Sequence, residues 1–212
     1  MGIKIAFYIS IPVTILAIFF LLIFPLIKKA KMRTNFLNVV GKKVTEIAEI
    51  KDYLLLNRVI LPIDEIHNMH IDHILFGNKY IYLINDQYIE GSLPQAKEND
   101  KKWVQLQSLN KPEWIDNPIL KNKRRVEKFT LLTRTEPDIL VGIIVCNNDL
   151  SYNDFLITDS HQHFVKLNQV ARLIDSFEMS KNVNNISNED LKELVKQINK
   201  MNKYKPNDEN KK

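Results

Sequence analysis

An uncharged stretch of 23 residues, at positions 5–27, is the feature that most constrains how this chain folds. A helix of about 20 apolar residues crosses a hydrocarbon core of about 30 Å, so the stretch predicts one transmembrane helix after a short tail at residues 1–4. A cleavable signal peptide is disfavoured because its apolar core usually holds only about 7 to 15 residues. The sequence therefore predicts a single-pass membrane protein.

Four basic residues follow this stretch directly, namely Lys28, Lys29, Lys31 and Arg33. Positive residues concentrate on the cytoplasmic side of spanning helices, so this juxtamembrane segment, residues 28–34, predicts that the rest of the chain is cytoplasmic, at the face of the cell membrane. Together with Lys4, the four residues account for the whole formal net charge of +5. The remaining chain is neutral, and its total charge alone does not indicate a nucleic-acid partner.

Hydrophobic periodicity predicts one α/β domain over residues 35–180, then a C-terminal amphipathic helix over residues 186–204 and a disordered tail over residues 205–212. The predicted strands lie at residues 58–62, 69–76, 79–84, 103–106, 139–146, 155–158 and 163–166. The predicted helices cover residues 35–56, a segment that starts at Asn117, and residues 169–177 and 186–204. Gly77 and Asn78 are expected to supply the positive φ of a tight hairpin.

Residues that commonly bind metals are dense in one short segment, which contains His67, His70, Asp72 and His73. Side chains alternate between the two faces of a strand, so His70 and Asp72 share one face and His73 points to the other. This alternation disfavours a zinc site. Cys146, the sole cysteine, ends an apolar run and is predicted to be a buried thiol rather than a nucleophile.

Several short motifs occur in an order that resembles the nuclease-related domain family, abbreviated NERD. They are the strand Ile71-Asp72-His73, the strand and turn at residues 80–91, the helix start Asn117-Pro118 and the late core strand at residues 141–145. The resemblance covers residues 41–146. It implies a restriction-endonuclease-like mixed sheet flanked by helices, and an N-terminal membrane segment is compatible with it.

The resemblance also implies a site in which an Asp and a Glu hold a divalent cation and a Lys two positions after the Glu assists the attacking water. Asp72 matches the Asp. Counting back from Gly91 places Asn85 at the position of the Glu and Gln87 at that of the Lys. The expected site is therefore degenerate, with Asp72 as a weak metal ligand and either no cofactor or a weakly bound Mg²⁺.

Two alternatives stay open at this point. An active metal-dependent nuclease requires a rearranged site in which Glu46 adds a carboxylate and Lys121, which stands where the family has a Gln, replaces the lost Lys. A non-catalytic membrane scaffold that binds protein or lipid requires none of these residues.

A basic stripe on one helix offers a nucleic-acid surface. Lys121, Arg124, Arg125 and Lys128 are spaced i, i+3, i+4 and i+7, which places them on one helical face. Such a face suits contacts to phosphates, although a solvated helix surface is the usual explanation of a charge run. No aromatic residue is interleaved with the stripe, so base stacking is not supported by the sequence. The leading prediction is a membrane-anchored, catalytically impaired domain that retains nucleic-acid binding.

Overall fold

The structure is a computed structural model that describes residues 2–107, 111–152, 159–181 and 183–204, without the side chains of residues 2–18, 20–22 and 25. The described helices are α1 (Gly2–Lys51), α2 (Pro118–Thr133), α3 (Val170–Glu178) and α4 (Asn188–Met201). The described strands are β1 (Leu54–Pro62), β2 (Asn68–Phe76), β3 (Ile81–Gln87), β4 (Ser92–Leu93), β5 (Lys102–Leu106), β6 (Pro112–Asp116), β7 (Leu140–Cys146), β8 (Ser151–Tyr152) and β9 (Gln162–Lys166). The predicted strand at residues 155–158 and the predicted tail at residues 205–212 lie outside the described residues.

Helix α1 is longer than either helix predicted for this part of the chain. It includes the basic residues 28–34, because Lys, Arg, Ala and Met are strong helix formers and residues 26–40 contain neither Gly nor Pro. Among the described residues, no helix combines the length and apolar character that spanning a membrane requires. The transmembrane segment at residues 5–27 stays a prediction. The chain divides into two compact units: Met1–Val39, whose described residues all belong to α1, and Val40–Lys212, which contains the sheets.

The predicted C-terminal end of the first domain helix, at residue 56, is wrong. The helix ends at Lys51, where Asp52 takes a left-handed conformation with φ 56°. Leu54 and the two leucines after it belong to β1 and pair with β2. Long-range pairing with β2 therefore overrides the helical preference of these leucines.

The larger sheet has the strand order β1-β2-β3-β7-β9. Its first three strands are antiparallel neighbours, whereas β3, β7 and β9 are parallel. All seven residues of β7 are buried and the strand lies between β3 and β9, so the strand predicted at residues 139–146 is confirmed and is internal to the sheet. The strands predicted at residues 58–62, 69–76 and 163–166 are confirmed, and the third, predicted at 79–84, begins at Ile81. The expected positive φ at Gly77 and Asn78 is wrong, because a four-residue loop replaces the tight hairpin.

The smaller sheet has the order β6-β5-β4-β8 and includes the predicted strand at residues 103–106 within β5. Its strand β6 leads directly into α2. Asn117 caps this helix by accepting hydrogen bonds from the backbone N–H groups of Ile119 and Leu120, as the sequence predicts. Val126 and Phe129 of α2 pack with apolar residues of β1, β2, β3 and β7, and we call this cluster the main core.

Helix α4 completes the main core. Leu191 and Ile198 are buried there, so the apolar face of the predicted amphipathic C-terminal helix packs on the domain. Ser187 caps the helix by accepting from the N–H of Asp190 at 3.1 Å. The described part is thus an α/β fold with mixed sheets flanked by helices.

Candidate active site and nucleic-acid interface

Asp72 lies near the middle of β2, on the strand next to Asn85 and Gln87 of β3. The antiparallel register joins His73 to Ile84, so Asp72 stands opposite Asn85. One oxygen of Asp72, Oδ2, accepts a hydrogen bond from the backbone N–H of Asp86 at 2.9 Å. The pairing of β2 with β3 therefore brings two of the predicted site positions, Asp72 and Asn85, together where the ladder between the strands ends.

Asn85 is buried and takes part in a chain of three amide side chains. Its Nδ2 donates to Oδ1 of Asn122 on α2 at 2.7 Å, and Nδ2 of Asn122 donates to Oε1 of Gln162 on β9 at 3.3 Å. We call Asn85, Asn122 and Gln162 the amide chain. Asn85 is 4% exposed, Asn122 0% and Gln162 2%, so water does not compete for these groups. The amide chain joins two strands to the helix that covers them.

Asn122 and Gln162 were not predicted from the sequence as site residues. A signal for Asn122 was present, because it lies three residues after Ile119 and four before Val126, on the apolar stripe of α2. A polar residue in such a stripe needs a buried hydrogen-bond partner. The partner itself comes from another strand and was not identifiable from local spacing.

Gln87, at the last position of β3, is half-buried and is paired with Cys146 in the parallel ladder. It supplies a neutral amide where the family resemblance implies a Lys. Cys146 is fully buried, and burial raises the pKa of its thiol to about 12. This confirms the prediction of a buried thiol.

Arg125 is a positive group whose charge is felt at Asp72. Burial lowers the pKa of the half-buried Arg125 guanidinium, and attraction to the Asp72 carboxylate opposes that shift. Arg125 belongs to the predicted basic stripe, whose other members, Lys121, Arg124 and Lys128, are exposed. The stripe therefore contains three exposed cations and one half-buried cation that is attracted to Asp72.

Glu46 and Lys121, the residues of the rearranged-site alternative, form ion pairs with other partners. Nζ of Lys43 lies 2.9 Å from Oε2 of Glu46. Nζ of Lys121 lies 2.8 Å from Oδ2 of Asp116, at the end of β6. Both ion pairs are largely exposed, and neither involves Asp72.

The dense group of histidines is divided between separate environments, as strand alternation predicts. His73 is buried, with Nδ1 2.6 Å from Oδ1 of Asn57 and Nε2 3.1 Å from Oδ2 of Asp86. His67 is exposed beside Asp64. Within the described parts of the chain, no group of three or more His, Cys, Asp or Glu side chains is arranged to hold a metal ion.

Asp86 carries a buried carboxylate on the same side as His73. Burial raises the pKa of Asp86, His73 opposes this shift and the Asp72 carboxylate adds to it. Its second oxygen, Oδ1, has no hydrogen-bond partner among the described residues. The negative charges of Asp86 and Asp72 thus repel each other, while Oδ2 of Asp86 contacts Nε2 of His73.

The family comparison agrees with the resemblance of the motifs. The family model of the nuclease-related domain (NERD) matches residues 40–147, a segment that contains Asp72, Asn85, Gln87 and the whole of α2. No curated protein matches the chain, and no solved structure does. The matched segment is just over half of the 212 residues. The chain therefore belongs to the nuclease-related domain family.

Proposed function

We propose that this chain is a non-cleaving member of its family that binds nucleic acid through the basic stripe on α2. One observation carries the proposal. The side chain at the position where the resemblance implies a metal-binding Glu is Asn85, and it is buried and hydrogen bonded to Asn122 at 2.7 Å.

The chemistry of the donor set supports the loss of cleavage. Mg²⁺ favours carboxylate oxygens in an octahedral arrangement, and phosphodiester hydrolysis also needs positive charge near the phosphate. The three family positions supply one carboxylate, Asp72, and two neutral amides, Asn85 and Gln87. One Asp72 oxygen already accepts a backbone hydrogen bond. These residues do not fit a catalytic divalent cation, and we derive no hydrolytic step from them.

The retained positive charge supports binding. Arg124 and Lys128 are exposed on the same helical face as Lys121, and the half-buried Arg125 of that face is attracted to the Asp72 carboxylate. Cations in such a row contact successive phosphates without reading the sequence of the bases.

A cleavage assay tests the first half of the proposal. The full chain, in a non-ionic detergent, is incubated with plasmid and with single-stranded DNA in Mg²⁺ or Mn²⁺, and we expect no cutting. Metal-dependent cutting that disappears in Asp72→Ala would show that an active site remains. Cleavage gained by the double variant Asn85→Glu with Gln87→Lys would support the proposed origin of the loss.

A gel-shift titration over several salt concentrations tests the second half. Replacing Arg124 and Lys128 with Gln is expected to weaken binding and to lower the salt slope by about 2, because each phosphate contact contributes about 1. The control replaces Lys192 and Lys196, exposed on α4, with Gln, which changes the net charge equally. If both pairs weaken binding equally, or if the wild type binds no nucleic acid, the assignment to α2 fails and a scaffold role is favoured.

We also propose that residues 5–27 anchor the chain in the cell membrane with the domain in the cytoplasm. The support is the absence of charge in this stretch and the basic segment at residues 28–34. The full chain should stay in the membrane pellet after alkaline carbonate extraction. Ile15→Asp with Ile18→Asp should release it, because each charge at the centre of a span costs about 3 kcal/mol. Release of the wild type by carbonate would contradict the anchor.

A further inference from the structure

Trp114 is a large aromatic side chain on the outer face of the smaller sheet. It is 67% exposed, whereas Trp103, the second tryptophan of the chain, is 1% exposed. Trp114 lies on β6, opposite Val104 of β5. Tryptophan is usually well buried in a folded domain, so an exposed indole marks a candidate contact surface.

The fold places this indole beside the basic stripe. Trp114 and Asp116 are two positions apart on β6, so their side chains leave the same face of the strand about 7 Å apart. Oδ2 of Asp116 lies 2.8 Å from Nζ of Lys121, the first residue of the stripe. Trp114 and Lys121 therefore belong to one continuous surface, although they are separated along the chain by the start of α2.

The charge of this surface is mainly positive. Lys102 pairs with Asp116 across the β5–β6 ladder, and Lys121 and Lys102 together lower the pKa of Asp116. Asp116 thus joins Lys121 to the strand that carries Trp114. The stripe then continues along α2 to Lys128, which is about 10 Å further along the helix axis at a rise of about 1.5 Å per residue.

We propose that Trp114 and the basic stripe form one binding surface for single-stranded nucleic acid. The indole stacks on an unpaired base, and the cations of the stripe contact the phosphates on one side of it. An aromatic ring next to a row of cations is the combination that recognises single strands, since a base in a duplex offers no free face for stacking. This inference rests on the proposed function and adds that the nucleic acid is single-stranded.

The test compares the affinities of the full chain for three probes: a fluorescein-labelled oligothymidylate of about 15 nucleotides, an oligouridylate of the same length, and a duplex of that length. Trp114→Ala should weaken binding of the DNA or RNA single strand by about 5-fold to about 150-fold and leave the duplex affinity within about 2-fold. Trp114→Phe, which keeps a ring, should lose less. Ile66→Ala removes another exposed apolar side chain, 83% exposed, and should change nothing.

Intrinsic fluorescence gives a readout that a folding defect does not imitate. Because Trp103 is buried, stacking on Trp114 should quench the emission of the wild type on addition of an unlabelled single strand, and Trp114→Phe should remove this quenching. Equal loss of single-strand and duplex affinity in Trp114→Ala, or no loss, would overturn the inference while nucleic-acid binding stands. Binding of polyglutamate without binding of any oligonucleotide would overturn both and identify an acidic polypeptide as the partner.

Discussion

Substituting Gly142 by Ala should destabilise the domain by disrupting the amide chain. Gly142 lies on β7, beneath α2, where an added Cβ would be 2.5 Å from Oε1 of Gln162 and 2.6 Å from Nδ2 of Asn122. These are the two atoms that form the 3.3 Å hydrogen bond between those side chains. An ordinary contact between carbon and oxygen is about 3.4 Å, so the Gln162 amide must move by about 0.9 Å.

The size of the effect follows from the burial of the two amides. Asn122 is 0% exposed and Gln162 2%, so a donor and an acceptor that separate there find no water. Each unsatisfied group costs about 1 kcal/mol or more, and forcing an extra methyl into a packed site adds about 1 kcal/mol or more. Ala also lowers the conformational entropy of the unfolded chain, which stabilises the folded state by about 0.5 to 1 kcal/mol. We therefore expect a net loss of about 2 to 3 kcal/mol in the free energy of unfolding.

Urea unfolding followed by circular dichroism measures this loss, and a thermal melt should show a Tm about 5 to 10 °C lower for a domain of this size. Gly41→Ala is the matched control. A Cβ at Gly41, within α1, would lie at an ordinary 3.6 Å from Cε1 of His73, so the same substitution should stabilise the helix by about 0.5 to 1 kcal/mol. If Gly142→Ala unfolds at the same urea concentration as the wild type, the amide chain does not constrain this site.

Two further predictions concern a helix cap and a turn. Asn117→Ala should lower the free energy of unfolding in urea by about 2 to 4 kcal/mol, because the Asn117 side chain caps α2 and also donates to the Glu98 and Asp100 carbonyls. The control Ser187→Ala removes the exposed cap of α4 and should lower it by only about 1 kcal/mol. Equal losses in the two variants would contradict the additional role of the buried Asn117 side chain. The backbone N–H groups of His67 and Ile66 lower the pKa of Asp64 to about 2. The folded-state pKa lies below the unfolded value of about 4, so this stabilisation is present above about pH 4 and is lost as the pH falls through about 2. An NMR titration should place the midpoint of the Asp64 carboxyl near pH 2. Asp64→Ala should flatten the dependence of the free energy of unfolding on pH below about pH 4. A midpoint near 4 would contradict the hydrogen bonds from His67 and Ile66 to Asp64.

Much of the local structure was predictable because it depends on residues close together in the chain. The caps of α2 and α4 at Asn117 and Ser187 follow from side chains that bond to backbone groups two or three positions later. The apolar run of β7 indicates an internal strand, and the burial of Cys146 follows from it. The family was also predictable, since its motifs are short segments in a set order.

The predictions of secondary structure were wrong where pairing with a distant strand competes with the local conformational preference of the residues. Leu54 and its neighbours continue a helical pattern, yet they form β1 because β2 offers them an antiparallel partner. The loop at Gly77 is longer than the predicted hairpin because the β2–β3 pairing ends at Phe76 and Ile81. In both places the register of the sheet determined the local conformation.

The sequence by itself determined the family, the α/β class and the residue types at the family positions: a carboxylate at Asp72 and amides at Asn85 and Gln87. Only the tertiary structure decided what those residues contact. The hydrogen bonds of the amide chain join residues 37 and 40 positions apart, and the ion pair of Lys121 with Asp116, two positions from Trp114 on β6, depends on how β6 leads into α2. Periodicity determines which face of an element a side chain occupies, but the packing of elements determines what lies opposite that face.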